Sequence, residues 1–518
     1  MVNLNKERVR SIAEICSEFS LQLPATIHSY VNGSSAGAAD DDSHQIAIRY
    51  PATEEVLYQL VETDDLTVDE AVAVARKTFD QSGWADLAHD ERKKILSRIR
   101  DAIAAHSEEL AVLQCLEVGI PISGLKAMHM PRTVENFDFF LAVSETLSGE
   151  TYQQLGNFLS VVTKEPVGVT ALIAPWNAPL VLLSMKLSAA LALGNTCVIK
   201  ASEQAPYSVL RFVEIMHEAG LPAGVVNLVN GRGETTGKRL VENPDVDVVG
   251  FVGGTETGTR IMTSAAKTLK KVGLELGGKS ANIVFSSANI DNAIDGSLLA
   301  ILSNNGQQCL AGSRIFVQRA IANEFIKQFT ERMAAIKIGD PFDPSTELGP
   351  MAFRAHKEKV LSYVDISKQE GGKILNGGET CSDFESGYFI EPTAVLVEDH
   401  SNRVCQEEIF GPFVTIMIFD TTDEVVTLAN SSDFGLVSYI WSDDLPTVMK
   451  VSGAIKAGTV WVNTPLTRDL RAPFGGYKQS GIGRDGLHGC VELFTEEKTT
   501  MLPTKDLSFP RMGMTKSS

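Results

Sequence analysis

A thiol, a carboxylate and a carboxamide stand in tightly bounded turns of this sequence: Cys309 in NNGQQCLAGSR, Glu275 in LELGGKSANIVF and Asn177 in APWNAP. As residue types they can serve as a nucleophile, a general base and a hydrogen-bond donor. The surroundings suit close approach. Cys309 lies between Gly306 and Gly312, Glu275 precedes Gly277 and Gly278 at the end of an expected strand, and Asn177 is bracketed by Pro175 and Pro179, which stiffen its turn. Each also has a plainer reading. A lone cysteine is most often a small buried hydrophobe, such a glutamate a surface ion-pair partner, and such an asparagine a turn stabiliser.

Four further blocks follow in order: KASEQAP at 200–206, FVGGTETG at 251–258, EEIFGP at 407–412 and PFGGYKQSGIGR at 473–484. With these blocks and the three turns, the chain from about residue 167 to about 498 resembles the aldehyde dehydrogenase superfamily. Within it, the hydroxymuconate and aminomuconate semialdehyde dehydrogenases are the most similar in feel. The resemblance implies NAD(P)-dependent oxidation of an aldehyde to a carboxylic acid. It assigns Cys309 the attack on the aldehyde, Asn177 and the Cys309 backbone N–H the oxyanion, and Glu275 the activation of water that hydrolyses the thioester.

The same resemblance places cofactor contacts. Lys200 and Glu203 match residues that bind the adenosine ribose, Glu408 one that binds the nicotinamide ribose, and Phe410 packs beside it. Trp176 and Gly233 are also assigned to the cofactor side, although NGRGETTG around Gly233 is not a G-x-G-x-x-G fingerprint. Gly253 and Gly254 precede a helix expected over 256–271, whose free N–H groups suit a pyrophosphate. Many relatives carry serine where this chain has Gly254, so a hydroxyl contact is lost there while the backbone contact stays available. A glutamate at 203 disfavours a 2′-phosphate, so NAD is expected, with NADP admitted, and no metal is implied.

Two stretches bear on the substrate. MHMPRTVENFDFF places Arg132 on a helix near Phe137, Phe139 and Phe140, and VNTPLTRDLRAPFGG places Arg468 and Arg471 after a strand. Both look like relatives that oxidise semialdehydes of ring-cleavage dicarboxylates. A guanidinium fork binds a carboxylate bidentately, so Arg132 with Arg468 or Arg471 is expected to anchor a remote carboxylate. The plainer reading pairs Asp469 with a neighbouring arginine. An alternative is a broad-range or aromatic aldehyde dehydrogenase whose phenylalanine cluster lines an apolar tunnel; another class is a catalytically silent NAD-binding structural protein.

Positioning these residues requires an α/β fold. Short β-branched runs at 167–174, 196–200, 225–229 and 246–252 alternate with helical patterns, as in parallel βαβ units. The helix between the second and third carries Phe212, Ile215, Met216 and Ala219 on one face. A second series follows, with strands at 281–285 and 314–318 and helices at 291–305 and 320–336. The expected organisation is a Rossmann-like NAD-binding domain from 1–146 and 162–275, an α/β catalytic domain over 276–488, a β bridging or oligomerisation element from 147–161 and 489–503, and a tail at 504–518. The first sixty or so residues read as a peripheral arm or small sheet with an acidic loop at 40–42, and 67–146 as helical.

At 518 residues the chain exceeds what one core holds, and 44% hydrophobic with 21% charged residues is ordinary for a globular enzyme. A net charge of −19 argues against nucleic acid or an anionic membrane as a partner. Seven dispersed cysteines without C-x-x-C pairs, and a start lacking an apolar h-region, point to a reducing cytoplasm. The apolar stretch 167–185 is broken by Pro175, Asn177 and Pro179, so no membrane span is expected. The partners are then a small-molecule aldehyde and a second copy of the chain, as a homodimer or homotetramer.

Overall fold

In an eight-stranded sheet, five parallel strands lie in the spatial order Lys271–Glu275, Val248–Val252, Val169–Ile173, Thr196–Lys200, Val226–Val229. The computed structural model describes residues 7–37 and 44–513, so the acidic loop at 40–42 and the tail from 514 onward lie outside the described residues. The first of the five strands in the chain sits centrally, the next two on one side and the last two on the other. The order therefore reverses between Val169–Ile173 and Val248–Val252, which opens a crevice beyond their carboxyl ends. Alternation of these strands with the helices Pro179–Ala192 and Pro206–Glu218, both with proline in the first turn, produces this layout.

A seven-stranded sheet forms the second layer system, with Ala281–Val284 between Arg314–Gln318 and Val437–Trp441, all parallel. The two sheets are joined directly. Lys271–Glu275 is the last of the five parallel strands and Ala281–Val284 begins the second sheet, so residues 276–280 cross from one to the other. Both strands are fully buried at their facing ends, which explains the near-continuous apolar reading of this stretch.

Several expectations need correction. The opening region is not wholly peripheral: Ser29–Val31 and Ser34–Ala36 extend the edge of the eight-stranded sheet, because Tyr30 pairs with Leu228. Thr26–Ile27, Gln45–Arg49 and Val56–Val61 do form a small separate sheet. The helix expected over 256–271 ends earlier. It runs Thr255–Ala265 with a further turn to Thr268, and Leu269 in a left-handed conformation turns the chain into Lys271–Glu275. At the other edge of the large sheet, Gly481–Ile482 pairs antiparallel with Leu274 and Glu275, so chain assigned to the second domain closes the first sheet.

Glu150–Tyr152, Phe158–Pro166 and Thr495–Pro503 form a three-stranded antiparallel sheet of their own. The middle strand runs past residue 161, and the last pairs with it along its whole length. Among the described residues no helix is long and apolar enough to cross a membrane.

Candidate active site

Asn177 lies in the turn between the central strand Val169–Ile173 and the helix Pro179–Ala192, at the carboxyl end of the first sheet. It is buried, and its Nδ2 donates to the Gln307 carbonyl at 2.8 Å, two residues before Cys309. The approach of the cysteine loop is set by Asn304 and Asn305, both left-handed with φ 56° and 57°. Asparagine tolerates that conformation when its side chain bonds locally. Asn304 Nδ2 donates to the Asn177 carbonyl at 2.8 Å and to the Gln307 carbonyl at 2.9 Å. Asn305, wholly buried, donates to the Gly119 and Pro350 carbonyls and accepts from Gly349 N–H. The oxyanion-side turn and the cysteine loop are thus fastened to each other by amide hydrogen bonds.

The crossing segment reaches the same place. A Cβ on Gly278 would lie 2.8 Å from the Cys309 carbonyl oxygen, and one on Gly277 would collide with the Glu408 carboxylate. Gly278 N–H donates to Glu408 Oε1 at 2.9 Å. Glu275, three residues before Gly278 and 6% exposed, has Oε1 where a Cβ on Gly475 would sit 2.7 Å away, while Oε2 has no hydrogen-bond partner. Cys309, Glu275, Glu408 and Asn177 are therefore brought together by two glycines and two left-handed asparagines.

The electrostatics are those of a desolvated, acidic pocket. Burial pushes the Cys309 thiol up to about 12, assisted by the charges of Glu408 and Glu275 and opposed by Arg468. Burial likewise holds the Glu275 carboxyl well above the usual range, with Asp485 adding to the shift and Lys186, Arg468 and Arg484 opposing it. Lys186 and Asp485 form a buried ion pair at 2.6 Å. Lys186 reaches it by lying across Gly250, where a Cβ would be 3.0 Å from its Cδ. Neither residue was marked by the sequence reading. A lysine in the apolar helix LVLLSMKLSAALA was the available signal, since a charge among such neighbours needs a partner.

On the cofactor side, Lys200 ends its strand and is 3% exposed, with Nζ 3.0 Å from Glu203 Oε2. Glu203, Arg232, Gly233, Gly237 and Arg260 line a groove of about 800 Å³ that also touches Ile173, at the end of the central strand. Gly253 is packed against the Phe251 ring, and Gly254 is the N-cap of Thr255–Ala265 with open space where a Cβ would stand and no side-chain cap. That leaves helix N–H groups free to meet an anion. Trp176 meets Phe353, His356 and Phe410 edge-on, with ring centroids 5.2–5.4 Å apart. A groove lying over the strand-order reversal, an uncapped helix start and a buried lysine paired with a half-buried glutamate at one end fit a dinucleotide.

Residues 38–500 match the aldehyde dehydrogenase family. This chain belongs to that family. Over 465 residues the aldehyde dehydrogenase is 40% identical to the 5-carboxymethyl-2-hydroxymuconate semialdehyde dehydrogenase of Escherichia coli, covering 89% of this chain and 97% of that one. Over 480 residues it is 38% identical to the 2-hydroxymuconic semialdehyde dehydrogenase of Pseudomonas sp. (strain CF600), covering 91% and 98%. The NAD+ complex of the Bacillus cereus aldehyde dehydrogenase is similar in fold, with a TM-score of 0.90 and 37% identity over 96% of this chain and 100% of that one. The silent structural reading finds no support among these relatives.

The three arginines part company in this aldehyde dehydrogenase. Arg471 is exposed, and its Nη2 and Nε bond the Asp469 carboxylate at 2.6 Å and 3.0 Å, so the plainer reading holds for it. Arg132 and Arg468 come together: Arg132 Nη2 donates to the Arg468 carbonyl at 3.2 Å. The Arg468 guanidinium lies 4.3 Å from the Phe474 ring centroid, and its buried Nε and Nη2 have no hydrogen-bond partner. Of the phenylalanines expected to line a tunnel, Phe139 is half-buried against Phe140, and the other two lie in the core. Phe137 and Phe140 are each 1% exposed within the main core, Phe137 against Phe212.

Proposed function

We propose that this chain oxidises an aldehyde bearing a remote carboxylate, a semialdehyde, to the dicarboxylic acid, using NAD. The observation that carries the reading is the meeting of the Asn177 turn, the Cys309 loop and the Gly277–Gly278 crossing at the reversal of strand order. In it, the Cys309 thiolate adds to the aldehyde carbon, and the Asn177 amide and the Cys309 N–H receive the new oxyanion, each donor contributing about 3 kcal/mol. The resulting tetrahedral carbon is a ready hydride donor. NAD, when bound, supplies the hydride acceptor, held at Lys200 and Glu203 at one end and Glu408 and Phe410 at the other. A thioester on Cys309 remains. Glu275 takes a proton from water, the hydroxide attacks the thioester, and the acid leaves as the thiolate is restored.

The substrate class is supported by Arg468 and Arg132. A half-buried guanidinium with unmet donors, beside the charges that act on Cys309, suits a carboxylate brought by the substrate. NAD rather than NADP follows from Glu203 in the groove, where a 2′-phosphate would meet a carboxylate. Tyr152, Leu155, Met501 and Leu502 are exposed on the outlying sheet, which suits association with a second copy. Seven free cysteines suit a reducing cytoplasm.

The test pairs chemistry with specificity. Cys309→Ala is expected to abolish NADH formation while calorimetric NAD binding persists; oxidation that survives the substitution removes the mechanism. Arg468→Met and Arg132→Met should each raise KM for a carboxylated semialdehyde by roughly tenfold or more, the loss of a charged hydrogen bond, and spare a neutral aldehyde. Equal losses on both substrates would remove the carboxylate anchor.

A further inference from the structure

Phe410, in the middle of the EEIFGP block, has a φ of +65°. A bulky residue held there is strained, and such strain persists only where neighbours over-determine it. Those neighbours come from one face of one helix. Arg354–Gln369 presents His356, Lys359, Val360 and Tyr363 at successive helical spacings. His356 Nε2 donates to the Phe410 carbonyl at 2.6 Å, Lys359 Nζ to the Glu408 carbonyl at 3.2 Å, and the Tyr363 hydroxyl to the Glu407 carboxylate at 2.7 Å. Val360 seals the end of the turn, since a Cβ on Gly411 would lie 2.7 Å from its Cγ2.

His356 is the centre of this grip. It is 6% exposed, and its ring meets Trp176 at 5.2 Å, Phe353 at 5.5 Å and Phe410 at 6.0 Å. A carbonyl can only accept, so the ring proton resides on Nε2. Burial lowers the imidazole to about 4, with the Lys359 charge acting in the same direction and the Phe410 carbonyl opposing, so the ring is neutral at working pH.

We propose that His356 is a positioning residue of the cofactor site: its Nε2–H, bonded to the Phe410 carbonyl, holds the Glu408–Phe410 turn in the left-handed form and keeps Phe410 against Trp176. The inference rests on the reading of Glu408 and Phe410 as cofactor-facing. It assigns His356 no contact with the dinucleotide and no part in the chemical steps.

Two variants separate the hydrogen bond from the ring. His356→Phe keeps an aromatic ring and removes the donor; His356→Gln removes the ring and keeps an N–H donor. In the NAD-free protein, His356→Phe should speed backbone hydrogen exchange over residues 407–412 by about tenfold relative to the wild type, as for the loss of one buried hydrogen bond. The NAD dissociation constant, measured by calorimetry, should weaken by about the same factor while KM for the aldehyde stays within about twofold. His356→Gln should restore both readouts most of the way. Wild-type exchange and NAD affinity in His356→Phe would overturn the proposal, as would equal impairment of both variants, which would make the ring a packing element only. Glu408→Gln serves as the control: unchanged NAD affinity there would refute the cofactor-facing reading itself, whatever the His356 variants do.

Discussion

Cys309 is half-buried and neighboured by two carboxylates, and in the NAD-free protein burial and those charges push its thiol up to about 12. A group raised in this way gains nucleophilicity as pH rises. Alkylation of the NAD-free enzyme by iodoacetamide should therefore keep accelerating from about pH 7 to about pH 10, and levelling near neutrality would indicate an activated thiolate instead. Glu275 has the complementary test. Glu275→Gln should still release one equivalent of NADH per site in a burst, then turn over about 10² to 10⁴ times more slowly because the thioester waits for water. A third residue has a stability consequence. Lys279 is 1% exposed with an unpartnered Nζ, and burial lowers it from 10.5 to about 7. Its folded pKa is below its unfolded one, so the unfolded chain binds more protons between those values and the burden is greatest below about 7, easing as pH rises. Lys279→Met should thus stabilise the protein most in denaturant titrations at acidic pH, with the gain shrinking toward pH 10; a gain independent of pH would point to packing alone.

At the scale of elements, the crossing between the sheets decides the site. Strand Lys271–Glu275 must deliver Glu275 at its carboxyl end, and the next residues must pass both Glu408 and the Cys309 loop with almost no clearance. Glycine at 277 and 278 permits this because the space for a Cβ is already taken. Gly277→Ala should displace the Glu408 carboxylate, an overpacking cost of about 1–3 kcal/mol, and weaken NAD binding roughly tenfold with little change in aldehyde KM. Unaltered NAD affinity would show that the carboxylate can move aside freely. The glycines were visible in the sequence beside Glu275. The left-handed asparagines were not singled out, although Asn-Asn-Gly is a familiar setting for that conformation, and it is the Asn304 and Asn305 amides that tie the Cys309 loop to Asn177 and to the loops at Gly119 and Gly349.

At the scale of the whole molecule, the buried pair Lys186–Asp485 joins the first helix after the central strand to the chain that follows PFGGYKQSGIGR, and it lies beside Glu275. Removing one partner strands a charge. Lys186→Met alone should cost about 3 to 5 kcal/mol in denaturant unfolding, and the double variant Lys186→Met with Asp485→Leu should recover much of it. The single variant also takes away a cation that opposes the rise of Glu275, so the pH at which Glu275 becomes an effective base should move upward. A loss shared equally by single and double variants would mean that packing rather than charge pairing holds this junction.

The sequence alone was enough for the family, the seven motif blocks and the alternation of strands and helices, because these depend on local residue type, spacing and hydrophobic period. Which arginine stands free and which is paired was not local information. Arg468 and Arg471 are three residues apart in one loop, yet Asp469 neutralises only the second, and Arg132 meets the first from a helix more than three hundred residues away in the chain. Phe137 and Phe140 beside Arg132 went to the core because the helix Met130–Glu145 turns that face toward its neighbours. The participation of Ser29–Val31 and Gly481–Ile482 in one sheet, the Lys186–Asp485 pair and the grip of His356 on Phe410 are contacts between distant segments. Only tertiary packing could decide them, since a side chain's partner is fixed by which surfaces the fold brings together and not by its sequence neighbours.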